Sequence, residues 1–159
     1  MQENERIADE LDRMNHGGAW HGPAIKETLN GVTASEAAAR PINGAHSIWE
    51  IVLHMTAWAE EVRRRLSENA RPLNGAADWP PPKDSTGDAW EDARSRLVAA
   101  HQRLRQEIRE FPPSRLQESV SGEDNNGPTD SFYIMLHGLA QHDAYHTGQI
   151  AILKRALGV

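Results

Sequence analysis

Apolar residues recur every three or four positions through most of this chain, a period that predicts helices and no convincing alternating strand. Ile7, Leu11 and Met14 mark an opening helix that stops in Gly17-Gly18. A second helical piece starts at Gly22-Pro23, where proline suits a first turn, and runs through Ala24, Ile25 and Leu29 to Gly31. Thr33-Ala34-Ser35-Glu36 has the form of a capping box for a short connecting helix. Ser47-Ile48-Trp49-Glu50 repeats that form and opens a long helix. Its apolar positions Ile48, Val52, Met55, Ala59, Val62 and Leu66 alternate steps of four and three, the spacing of a bundle seam.

A loop of about twenty residues follows, a length that marks functional or disordered segments. It contains Trp79-Pro80-Pro81-Pro82, which cannot be helical, and its tryptophan predicts that the loop packs back onto the body. Asp88-Ala89-Trp90-Glu91 is expected to begin the next helix, with Trp90, Ala93, Leu97, Ala100, Leu104, Ile108 and Phe111 on its core face and Pro112-Pro113 at its end. A polar stretch through Gly122–Pro128 leads to a final helix over about Asp130 to Ala156. The expected fold is all-α, a four-helix bundle with short accessory helices, in one domain over residues 1–159.

The inward stripe of the final helix changes character half-way. At steps of three and four it reads Phe132, Met135, Leu139, His142, His146, Gln149, Leu153 and Leu157, apolar at both ends and polar for three consecutive slots. Imidazoles at core positions need partners, because unpaired polar groups are costly to bury. Two histidines at i, i+4 share one helix face about 6 Å apart along the axis, so their rings can converge on one ion. A third ligand should come from a facing helix, and His54 is the candidate. It lies mid-helix beside Met55, in a stripe with Ile51 and Trp58. Three protein ligands would leave a coordination position open for water or substrate. Spacing alone leaves two readings open, a metal site or core histidines bonded to their neighbours. The glutamate of a His-Glu-x-x-His peptidase helix is replaced by Asp143, which disfavours that chemistry.

Composition narrows the function. A net charge of −6 leaves no extended basic surface for a phosphate backbone. The basic run Arg63-Arg64-Arg65 suits the solvated end of a helix. The chain has no cysteine, so a thiol taking part in any reaction would come from a substrate. The charged start, Met1 to Arg6, does not suit a secretory signal and no apolar run approaches membrane-spanning length, so the expected location is the cytoplasm. The partners expected are a small-molecule substrate and neither nucleic acid nor membrane, with a homodimer left open.

Two segments, His46-Ser47-Ile48-Trp49-Glu50-Ile51-Val52-Leu53-His54-Met55 and Gln141-His142-Asp143-Ala144-Tyr145-His146-Thr147-Gly148-Gln149-Ile150, resemble the DinB/YfiT-like family of metalloenzymes. Trp20-His21-Gly22-Pro23 and Asp78-Trp79-Pro80 extend the likeness over nearly the whole chain. The resemblance implies a four-helix bundle holding one divalent metal ion by three histidines, at His54, His142 and His146. It also implies chemistry with low-molecular-weight thiols such as bacillithiol or mycothiol, since characterised relatives include thiol-using transferases and an isomerase.

Other residues carry weaker expectations. Tyr145 and Gln149 are catalytic candidates, the first as a donor to developing negative charge, the second as a partner of a metal-bound water or substrate. His21, His46 and Trp58 are candidate substrate contacts, although His46 precedes the cap Ser47 and is better placed to orient that helix end. Glu50 is open to an imidazole partnership, but its capping role already accounts for it. His101 flanks Ala100 and Leu104, from where it could reach the bundle interior, but a partly exposed helix histidine is the reading preferred, and His16 and His137 carry no signal. The function expected first is thiol-dependent S-transferase chemistry at the metal. A hydrolase using metal-activated water comes second, and a non-catalytic metal-binding stress protein third. Zinc is the first choice of ion, and three imidazoles also suit nickel.

Overall fold

In the computed structural model, which describes residues 1–67, 73–120 and 130–159, six α-helices carry the chain and the described residues form no strand beyond a single bridge between Ser119 and Ser131. They are α1 (Glu3–His16), α2 (Ile25–Thr28), α3 (Ala34–Ala38), α4 (Ile48–Arg65), α5 (Gly87–Glu110) and α6 (Phe132–Leu157). The four long helices make the bundle. Helix α4 packs on α5 and α6, and α1 packs on the same two, so α1 and α4 stand on one diagonal and α5 and α6 on the other. The short helices α2 and α3 lean on the end of the bundle where α4 begins.

The capping boxes at Thr33 and Ser47 both form. The Ser47 main-chain N–H donates to Glu50 Oε2 at 2.8 Å, and Ser47 Oγ accepts from the Glu50 N–H at 3.2 Å. The seam of α4 is buried at all six positions from Ile48 to Leu66, and the α5 face from Trp90 to Phe111 is buried throughout. Two helix starts differ from expectation. Helix α5 begins at Gly87, because Thr86 takes the cap and its Oγ1 accepts from the Ala89 N–H, so Asp88 lies inside the first turn. Helix α2 is a single turn starting at Ile25, with the Ala24 N–H donating to Glu27, and Pro23 lies before it. The polar stretch Gly122–Pro128 lies outside the described residues, as do residues 68–72 of the long loop.

Helix α6 departs furthest. Its buried residues run Phe132, Leu136, Leu139, Ala140, Asp143, His146, Thr147, Ile150 and Leu153. Asp143 is fully buried at the middle of that face, while His142 sits on its flank and Met135, Gln149 and Leu157 are half-buried. The face is turned because Asp143 finds a partner across the bundle. His101 on α5, only 1% exposed and not partly exposed as expected, points Nε2 at Asp143 Oδ2 across 2.8 Å. This contact spans the α5–α6 diagonal.

The apolar core is therefore two clusters. One gathers Ile7, Leu11, Ala59, Val62, Leu104, Ile108 and Leu136. The other gathers Ile48, Val52, Met55, Trp90, Leu97, Ile150 and Leu153. Between them along α4, α5 and α6 lies a polar layer of His54, His101, Asp143, His146 and Thr147, all buried. No described helix is long and apolar enough to cross a membrane.

Candidate metal centre

Three imidazoles meet in that layer. His54 comes from α4, and His142 and His146 come from successive turns of α6, the neighbour of α4 in the bundle. His142 Nε2 stands 3.0 Å from His54 Nε2 and 3.1 Å from His146 Nε2. His54 and His146 are buried, whereas 26% of the His142 side chain is exposed, so the cluster is approached from the side of His142.

The groups behind the rings fix which nitrogen faces inward. His54 Nδ1 lies 2.7 Å from the main-chain carbonyl of Asp78 and 3.2 Å from its carboxylate. His146 Nδ1 lies 2.6 Å from Gln149 Oε1. Both partners are acceptors, so each Nδ1 carries the hydrogen and each Nε2 of a neutral ring presents a lone pair. A single hydrogen on His142 Nε2 could satisfy one of its two contacts and not the other. A cation at the focus satisfies all three, and nitrogens bound about 2.0–2.1 Å from one ion stand about 3 Å apart. The donor set thus fits a divalent ion, and these are the residues that could hold one.

Electrostatics keep two of the rings neutral. Burial pushes His146 down to about 4 despite the Gln149 hydrogen bond, with further lowering from His142 and His54. Burial also lowers His54, overriding the Asp78 carbonyl, which pulls the other way. Neutral imidazoles are the form a metal needs. In the layer behind, burial alone would raise Asp143 and lower His101. Their mutual attraction wins, lowering Asp143 and raising His101, so the pair sits as carboxylate and imidazolium.

The long loop does pack back. Trp79 lies face to face with His54, ring centres 3.8 Å apart at 7°, His46 also stacks on it at 3.6 Å and 7°, and His146 meets it edge-on at 5.9 Å. Trp58 completes the wall. Its ring centre is 5.8 Å from that of His142, and its Nε1–H donates to Asp78 Oδ1 at 2.8 Å. Arg65, tied to the buried Glu61 at 2.6 Å, lies over the Trp58 ring.

The remaining expected residues fall outside the cluster or take other parts. Gln149 has its amide oxygen on His146, which makes it a support for that ring rather than a group aimed at the open side. Tyr145 is 65% exposed and touches His146 edge-on, with ring centres 5.1 Å apart. Glu50 serves Ser47 and Arg40 and reaches no ligand imidazole. His21 is exposed, lining a surface cavity of about 520 Å³ with Trp20, Gln141 and Ala144. His16 pairs with Asp12 and His137 with Glu10, both away from the cluster. Sequence reasoning quoted Asp78 only within a family-like segment and missed its bond to His54, and it missed the His101–Asp143 pair. The position of Asp143 directly after His142 offered a signal, but a main-chain carbonyl such as that of Asp78 leaves none in residue type.

The sequence profile of the DinB superfamily matches residues 20–150, a span that includes all three histidines. The chain belongs to the DinB superfamily. Among solved structures it is similar to YfiT from Bacillus subtilis, described as a probable metal-dependent hydrolase with an unusual four-helix bundle topology. The two share 18% identity and a TM-score of 0.67, over 98% of this chain and 83% of that one. That likeness establishes a shared fold for this DinB chain. No curated protein matches it.

Proposed function

We propose that this protein is a metal-dependent enzyme that joins a small thiol to an electrophile at a three-histidine site. The observation that carries this reading is the convergence of three Nε2 atoms, two of them with Nδ1 tied to acceptors. A divalent ion, zinc first and nickel as the alternative, would supply a Lewis acid that favours the deprotonated form of a thiol or water. His54, His142 and His146 would hold it, and imidazole ligands would bring no negative charge to offset that of the ion. Asp78 and Gln149 keep two of the rings in the ligating tautomer. Trp58 and Trp79 wall the cluster with apolar faces that limit water. The thiol must come from a co-substrate, because the chain has no cysteine. Tyr145 stands as a candidate proton donor beside His146.

A second reading, hydrolysis by metal-activated water, is favoured by the description of YfiT as a probable metal-dependent hydrolase. Cobalt-loaded protein separates the two. On the thiol reading, bacillithiol, mycothiol or glutathione brings up a sulfur-to-cobalt charge-transfer band, and conjugation of a chlorinated nitroarene requires both metal and thiol. An unchanged cobalt spectrum, with ester or amide cleavage rising through neutral pH, would replace the transferase by the hydrolase. Silence in both assays would favour a non-catalytic metal-binding protein.

A further inference from the structure

We infer that Asp143, anchored by His101, is the positioning residue for His142, an inference that rests on the metal-site reading above. Two buried polar atoms lie side by side without hydrogen-bond partners, His142 Nδ1 and Asp143 Oδ1. They are 3.6 Å apart, too far for a hydrogen bond and close enough that a small rotation of the His142 ring makes one. Orphaned groups at such depth are uncommon, and each costs free energy while it stays unpaired.

The two other histidines show what is missing. His54 and His146 each have an acceptor within 2.7 Å of Nδ1, and in each case Nε2 faces inward. For His142 to present its Nε2 lone pair in the same way, its hydrogen must sit on Nδ1, and the acceptor adjoining that atom is Asp143 Oδ1. The carboxylate is held for this task. Its second oxygen faces His101 Nε2 at 2.8 Å, while His101 Nδ1 is 3.0 Å from the Leu97 carbonyl. With both ring nitrogens directed at acceptors, His101 suits the doubly protonated form, which leaves Asp143 a carboxylate able to accept from His142 as well. Asp143 and His101 are 0% and 1% exposed, so water does not substitute for either. The relay runs from Leu97 through His101 and Asp143 to His142, from α5 across the diagonal to the cluster.

A purely structural ion pair would tie α5 to α6 and leave the ligand alone, and the experiment must separate these roles. Zinc affinity is measured by competition with a chromophoric chelator, and the His142 tautomer is read from its imidazole nitrogen shifts in the zinc-loaded protein. Asp143→Asn keeps shape and one acceptor but not the charge, and Asp143→Ala removes both. Expected are affinity losses of about 10–100-fold for Asp143→Ala and a smaller loss for Asp143→Asn, the scale for outer partners of metal-bound histidine. The His142 Nδ1–H signal should move in both, and His101→Asn should lower affinity in the same direction. Affinity and His142 shifts matching the parent protein in a folded Asp143→Asn would overturn the inference, even if the metal-free variant unfolds more readily. Failure of the underlying reading looks different: the unsubstituted protein would bind no stoichiometric zinc, or His142→Ala would bind it fully.

Discussion

A histidine that ligates through Nε2 is only as well placed as the acceptor behind its Nδ1. Gln149 serves that purpose for His146 at 2.6 Å. Gln149→Ala should therefore weaken metal binding by about 10–100-fold with the fold intact, as loss of an outer hydrogen-bond partner does elsewhere. His54→Ala, His142→Ala and His146→Ala should each abolish stoichiometric binding, while His16→Ala and His137→Ala should bind as the parent does. Equilibrium dialysis with metal analysis checks all six, and a fully loaded His54→Ala would remove α4 from the site. At this scale the histidines were legible because a pair one turn apart, on a stripe that is otherwise apolar, is chemically conspicuous. Their supports were not. Asp78 acts through its main-chain carbonyl, which every residue possesses, and the partner of Asp143 is forty-two residues away on another helix.

Caps decide where the helices that carry those residues begin. Ser47 closes both halves of a capping box at the start of α4, seven positions before His54. Ser47→Ala should lower unfolding stability by about 1 kcal/mol. Thr86→Ala should cost a similar amount, because Thr86 Oγ1 caps α5 and is itself held by Asp84 Oδ1 at 2.7 Å. Asp88→Ala should cost only a few tenths of a kcal/mol, the share a first-turn acid gains from the helix dipole. Denaturant titration of the three variants tests this ranking, and a larger loss at Asp88 than at Thr86 would reverse it. The apolar seams of α4 and α5 made those helices readable, since every position of each seam is apolar and buried. The face of α6 was misjudged because its centre is an aspartate, and periodicity counts a charged residue as outward. The crossing contact from His101 makes the inside tolerable for it.

At the scale of the whole molecule, two apolar clusters flank the polar layer, so the bundle has a core that does not depend on an ion. Chelator-treated protein should keep its helical circular dichroism at room temperature. Its stability should nevertheless fall as pH drops from about 6.5 toward 5. The unfolded chain takes up protons on histidine near 6.5, whereas the folded chain holds His146 near 4 and His54 below its usual value, so acid favours unfolding. His101 works in the opposite sense, but its raised value confines its effect to higher pH. Urea midpoints of the metal-free protein measure the slope, which should flatten in His146→Asn. A slope unchanged by that substitution would place its origin elsewhere.

Trp79 gives the molecule a property of a different kind. Its indole lies against the His54 imidazole on one face and His46 on the other, so its excited state would decay within a few ångströms of an ion held by the three histidines. An open-shell ion there would drain that emission and a closed-shell one would not. With an ion at the three-histidine focus, Trp79 in the loop that walls the site would report which kind it is by the strength of its emission.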